Sequence, residues 1–289
     1  MHQEGISIER LTTIQQFHRC EELQRRVWGL SDTDVVPLHL LITAQKGGGL
    51  VLGAFDKEGK MIGFLFGFLG ARDTTAQHLR HCSHMLGVLE EWRGRGVAYR
   101  LKLSQREHAL AQRLELVTWT YDPLESLNAA LNISKLGVVC HTYVRDFYGE
   151  MEDDLHVGLS SDRFQVEWWV ASQRVALRLA NGGYRPSLDA ALESGAHLLN
   201  PATVGPESLV WPSSASLEPT ADAVLVEIPA RLQAIKATDM ALARRWRAHT
   251  REIFERCFAA GYTVTEFVSQ VQDDLQRSYY VLQRDFEVI

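Results

Sequence analysis

The run Arg93-Gly94-Arg95-Gly96-Val97-Ala98 places small residues where a backbone must come close to a ligand, with two cations beside them. It joins an apolar stretch ending at Leu89 to residues 97–113, which have the composition of a helix. Unpaired N–H groups at a helix start, reinforced by the helix dipole, favour an anion, and a pyrophosphate is a natural guest. A dinucleotide fingerprint would need a third small residue three positions after Gly96, where Tyr99 stands, and there is no Gly-Lys-Ser/Thr run. Just upstream, His84 lies on the strand entering the turn, and an ordinary pKa near the operating range suits it to acid–base work. His78, His81 and Ser83 are nearby alternatives. No metal site is expected from His81 and His84, because a spacing of three on a strand sends the side chains to opposite faces.

Other charged residues have plainer readings. Asp122 and Glu125 have the spacing of a capping box ahead of a helix. The acidic group Glu150, Glu152, Asp153 and Asp154 could attract a cationic amine, but reads as a solvated loop. Arg145 and Arg163 could each grip a carboxylate bidentately, although an ion pair explains either one equally well. Trp168-Trp169 reads as packing.

Around the turn the chain alternates strand and helix patterns. A strand is predicted at 6–11, then a helix capped by Thr12 or Thr13 and running to Trp28, with Ile14, Phe17, Leu23 and Val27 at helical spacing. A short helix over 38–45 follows Pro37. A hairpin pairs 49–55 with 61–69 through the turn 56–60, and a strand covers 81–89. After the 97–113 helix come a strand at 114–121, a helix at 123–136 stopped by Gly137, and strands at 138–147 and 164–170. This is an α/β (α+β) chain with a mixed sheet, since the hairpin makes part of it antiparallel. Past Ala171 the texture changes. Residues 181–221 are rich in Gly, Pro, Ser and Ala, followed by a strand at 223–228, a long helix at 239–260 and strands at 262–268 and 278–282. That order repeats the order of 114–170, so residues 171–289 could be a degenerate second half packed on a first domain of residues 1–170.

Composition narrows the class. The 289 residues are 46% hydrophobic and 23% charged, with net charge −6 and pI about 6.0, which argues against a nucleic-acid partner. Cys20, Cys82, Cys140 and Cys257 are too dispersed for a zinc site or a disulfide framework, so reduced thiols in a cytosolic protein are expected. Residues 1–4 lack the regions of a signal peptide, and the longest apolar stretch, 61–71, holds three glycines and is too short for a bilayer. A soluble, cytoplasmic protein without a membrane partner is the expectation, and a homodimer is left open.

The six residues from Arg93 to Ala98 match the Arg/Gln-x-x-Gly-x-Gly/Ala element of the GNAT (GCN5-related N-acetyltransferase) superfamily, with apolar Val88 in its usual place and Glu90 where Pro is common. Asn128 to Gly137, ending Lys135-Leu136-Gly137, resembles the helix that follows in those proteins. Together with Ser83-His84-Met85-Leu86-Gly87-Val88 and Tyr148-Gly149-Glu150-Met151, residues 5–170 resemble a larger subfamily of predicted acetyltransferases with a C-terminal extension. Some of its members are thought to move succinyl to amino acids. The resemblance implies a mostly antiparallel mixed sheet flanked by helices, with acyl-CoA (acetyl-CoA or succinyl-CoA) as co-substrate and no metal. It also implies acyl transfer to the amine of a small molecule such as an amino acid. Coenzyme contacts would come from the backbone of Leu86, Gly87 and Val88, from Arg93, Gly94, Arg95, Gly96, Val97 and Ala98, and from Asn128 and Lys135. His84 would be the base. Ile133 stands where the family often has a Tyr acid, which leaves Tyr143, Tyr148 or Ser134 as substitutes and keeps two other readings in play. One is a non-catalytic acyl-CoA sensor, the other a protein or peptide N-acyltransferase.

Overall fold

The computed structural model describes residues 5–72, 78–149, 158–180, 182, 187–205, 209–272 and 274–288. The chain forms two compact units, one of residues up to Trp119 joined by Trp169–Ala171, the other made mainly of the chain from Thr120 onward. The mixed, mostly antiparallel sheet structure flanked by helices is as expected. Among the described residues no helix is long and apolar enough to cross a membrane. The acidic group at 150–154 lies outside the described residues.

The first unit begins with β1 (Ser7–Arg10), α1 (Ile14–Trp28) and α2 (Leu38–Lys46). Thr13 starts α1 because its hydroxyl accepts the Gln16 amide at 3.2 Å while the Gln16 side chain accepts the Thr13 amide at 3.1 Å. The hairpin β2 (Leu50–Phe55) and β3 (Met61–Ala71) turns on Asp56, whose Oδ1 accepts the amides of Glu58 and Lys60, both at 2.9 Å. Then come β4 (Leu79–Val88), a 3-10 turn at Glu90–Trp92, α3 (Val97–Ala111) and β5 (Leu116–Tyr121), whose last two residues belong to the second unit. β1 to β4 pair antiparallel in sequence order and β5 adds parallel to β4. α1 and α2 cover one face over Val51, Phe64 and Phe66, and α3 covers the other over Leu50, Leu52, Leu65 and Val88. Truncating one of the buried phenylalanines, such as Phe64, would cost about 3–5 kcal/mol.

The second unit continues with α4 (Ser126–Ala129), β6 (Val139–Val144), β7 (Arg163–Trp169), α5 (Gln173–Ala180) and α6 (Leu188–Glu193). Short strands β8 (His197–Leu198), β9 (Ala202–Val204) and β10 (Val210–Pro212) precede β11 (Ala223–Ile228), α7 (Leu232–Thr238), α8 (Met240–Ala259), β12 (Tyr262–Gln272) and β13 (Leu275–Arg284). Its sheet runs β7-β6-β12-β13-β11-β8. The long helix, α8, is capped by Asp239, which accepts the Leu242 amide at 2.9 Å. The sequence pattern missed α5 and α7, and it read residues 181–221 as irregular where α6, β8, β9 and β10 form.

The helix predicted over 123–136 is corrected. Residues 122–125 form a turn, α4 starts at Ser126, and after one turn the chain widens into π-helical geometry over Ala130–Lys135 before Gly137 at φ 75°. The capping box does not form because its members are engaged elsewhere. One oxygen of Asp122 accepts the Leu124 amide at 2.8 Å and the other pairs with Arg247. Glu125 accepts from Gln233 at 2.5 Å. The Pro123 carbonyl, which a helix would have used, accepts the Tyr280 hydroxyl at 2.8 Å.

Candidate active site

In the first unit β4, the turn and α3 follow one another in the chain and carry His84 and the residues from Leu86 to Ala98. β4 pairs with β5 at His81↔Val117 and Cys82↔Thr118, and the pairing stops there. Immediately beyond, the β3–β4 register slips, with Gly67 opposite Ser83 but Phe66 opposite Met85, so His84 is the extra residue of a β-bulge. The bulge puts His84 beside Met85 on the α1–α2 face, while Ser83 faces α3. The Leu89 amide donates to the Ile62 carbonyl at 3.0 Å. By the alternation of an antiparallel ladder, the polar backbone groups of Leu86 and Val88 therefore point away from β3, toward the opened edge.

The His84 ring meets Phe66 and Phe68, each 5.8 Å away between centroids. His84 is exposed to solvent, and partial desolvation by its neighbours lowers its pKa below 6.5. Neutral at physiological pH, it can accept a proton. His81 is a different case. It is fully buried, sits edge-on to His108, and has both ring nitrogens without a hydrogen-bond partner among the described residues. Burial, reinforced by His108 and Lys102, lowers its pKa to about 3. It is a packing group that presses on Gly67, where any Cβ would overlap the ring.

The turn itself is exposed from Arg93 to Gly96. Gly94 and Gly96 take φ of 74° and 76°, and a Cβ at either would meet nothing within 4 Å, so the space above the turn is open. Gly96 is the cap of α3, and among the described residues no side chain caps the helix, so its first amides can serve a ligand. Arg93 ties the turn back to the strand through a 3.3 Å bond from Nε to the Val88 carbonyl. The Arg95 guanidinium lies 5.0 Å from the Trp92 ring centroid.

The remaining predicted residues belong to the second unit. Asn128 and Lys135 are exposed. Tyr143 donates to Asp162 at 2.6 Å and lies near Arg247, and burial raises its pKa well above the ordinary phenol value. Tyr148 is exposed, 3.3 Å from the Thr120 hydroxyl. Ser134 donates to the Phe267 carbonyl at 2.8 Å, and Ile133 is fully buried. Arg145 forms a bidentate pair with Glu255 at 2.5 Å, while Arg163 is buried with its guanidinium 5.3 Å from the Tyr148 ring. The four cysteines are unpaired, three of them buried. Among the described residues no group of three or more His, Cys, Asp or Glu could hold a metal.

One residue of the site escaped the sequence reading. Lys102 is 3% exposed and donates to Ser83 Oγ at 2.9 Å and to Gln105 at 3.2 Å, with Nζ 3.5 Å from the Trp119 ring centroid. The signal was present, since Lys102 shares the buried stripe of α3 with Val97, Leu101, Gln105 and Ala109.

No family model matches this chain, and no curated protein does. Its fold is similar to solved acetyltransferases. The ribosomal-protein-S18-alanine N-acetyltransferase of Escherichia coli aligns over 57% of this chain and 94% of its own, at 13% identity and TM-score 0.44. NAA60 of Arabidopsis thaliana in complex with acetyl-CoA covers 57% and 99%, at 15% identity and TM-score 0.46. A GNAT-family acetyltransferase of Streptococcus pneumoniae covers 56% and 98%, at 16% identity and TM-score 0.45.

Proposed function

We propose that the chain is a GNAT-type N-acyltransferase that carries an acyl group from acyl-CoA to the amine of a small molecule such as an amino acid. The observation that carries this reading is the fork in the first unit. β4 parts from β5 after Cys82, bulges at His84, and runs into a turn whose two left-handed glycines open onto a helix N-terminus. An acyl-CoA is a chain with a diphosphate at one end and a thioester at the other. The Gly94–Ala98 amides and Arg95 suit the diphosphate, and the edge-facing backbone groups of Leu86 and the amide of Val88 suit the amide-bearing arm, the Val88 carbonyl being taken by Arg93.

The two faces of β4 divide the work. The coenzyme enters on the α3 face, where the phosphate-binding turn lies. The amine approaches from the His84 face, where His84 takes its proton as the nitrogen attacks the acyl carbon. The Leu86 amide, at the open edge, can polarise the acyl oxygen. Holding both reactants in one geometry supplies much of the rate.

The reading is tested by thiol release from acetyl-CoA and succinyl-CoA against L- and D-amino acids, polyamines and short peptides, with CoA binding measured in parallel. Acceptor-dependent release by an amino acid is the expected result. Release with peptides alone would move the acceptor to a protein N-terminus, binding without release would make the chain a sensor, and absence of CoA binding would refute the reading. Within the same titration, Gly96→Val is expected to weaken CoA binding at least about tenfold, since it forces a β-branched residue into left-handed backbone at roughly 1–2 kcal/mol and fills the space above the turn. Unchanged affinity would remove the turn from the site.

A further inference from the structure

Lys102 is a buried amine that, among the described residues, has no carboxylate as a hydrogen-bond partner, and that is a costly arrangement unless it is used. Its place is specific. It lies five residues into α3, about 7.5 Å along the axis from the helix start. There it spans the apex of the fork, touching Ser83 on β4 and Trp119 on β5, each one residue past the last β4–β5 pair. It also lies on the α3 face, opposite His84.

Ser83 completes the arrangement. Its oxygen accepts from Lys102, and among the described residues its own hydroxyl hydrogen meets no acceptor. A serine bonded in this way can pass a proton outward while receiving one from behind. Of the alternative donors, Ser134 donates to Phe267, Tyr143 donates to Asp162 and the exposed Tyr148 hydroxyl lies 3.3 Å from that of Thr120, while Ile133 is apolar and buried.

Resting on the acyltransferase reading, we propose that Ser83 and Lys102 form the general-acid relay for the departing thiolate. As the carbon–sulfur bond breaks and its electron pair moves to sulfur, the Ser83 hydroxyl gives its proton to the sulfur and Lys102 Nζ gives one to Ser83 Oγ. The product thiol leaves protonated, and before the next turnover His84 releases the amine's proton to water while water returns one to Lys102, so no net charge is left behind. Burial supports the role, since desolvation lowers the Lys102 pKa well below 10.5 and makes it a stronger acid than a solvated lysine. Trp119 steadies the cation between turnovers.

The test compares two leaving groups in the full-length protein, acetyl-CoA and the acetyl thioester of 4-nitrothiophenol, whose thiolate departs without needing a proton. Each is paired with the amine of the acceptor panel that turns over fastest. Ser83→Ala and Lys102→Met are expected to lower kcat with acetyl-CoA about 100-fold, leave the CoA dissociation constant within about twofold, and fall within a few-fold of the parent on the activated thioester. A defect equal on both thioesters would mean that the pair only props the fork, and no defect on acetyl-CoA would remove it from the reaction. Ser83→Ala deletes one oxygen and keeps the test decisive if Lys102→Met fails to fold. A parent protein that releases no thiol refutes the acyltransferase reading and this relay together, whereas parent turnover with an undiminished Ser83→Ala variant refutes the relay alone.

Discussion

Replacing His84 by glutamine is expected to lower kcat for acyl transfer about 100- to 10,000-fold, the usual contribution of a positioned base, while CoA binding stays near that of the parent. Glutamine keeps the polar bulk on the bulge and removes the titratable nitrogen. The pH profile gives the independent check. Because desolvation lowers the His84 pKa below 6.5, the neutral form that can accept a proton prevails throughout the neutral range. kcat/KM expressed on the concentration of unprotonated amine should therefore be flat around neutrality and decline only as the pH drops through a midpoint below 6.5, where the ring becomes protonated. In the variant that acid limb should vanish along with most of the rate. An acid limb centred at or above 6.5, or one that survives in His84→Gln, would assign the base elsewhere.

Asp122→Ala is expected to destabilise the second unit by about 3–5 kcal/mol, the cost of leaving a buried charge without its partner. Asp122 and Arg247 are both nearly inaccessible, and Arg247 Nε and Nη1 have no other hydrogen-bond partner among the described residues. Burial by itself would push the Arg247 guanidinium down, but the Asp122 carboxylate outweighs it and holds the group above its ordinary value. The alanine would also free the Leu124 amide, opening the turn that leads into α4. Urea unfolding followed by intrinsic fluorescence measures the loss, and a double replacement of both partners by leucine should recover much of it, since no charge is then stranded. A single variant within about 1 kcal/mol of the parent would show that solvent reaches Arg247 and that the pair is not buried in solution.

The sequence was legible wherever a local rule decides the outcome. The Thr13 cap and the hairpin turn at Asp56 appear where expected because each satisfies backbone groups within a few residues. The 97–113 helix was placed to within a couple of residues at its end. The 123–136 helix failed for the opposite reason. Asp122, Pro123 and Glu125 offered good capping chemistry locally, but Arg247, Tyr280 and Gln233, more than a hundred residues away, bind those same groups. α6 went unread inside the Gly-, Pro- and Ser-rich stretch 181–221, and α5 and α7, of eight and seven residues, are too short to carry a clear helical period.

The site divides along the same line. Gly94 and Gly96 announce a turn of small residues at a helix start because the lack of a side chain is a property of the residue itself, and His84 announces acid–base capacity by its chemistry. Tertiary structure alone decided that β4 bulges at His84, that its pairing with β5 ends at Cys82, and that Lys102 is buried against Ser83 and Trp119. Those features depend on register between strands and on which helix covers which face. Such choices are made by packing free energy summed over distant residues, and no single stretch of sequence contains them.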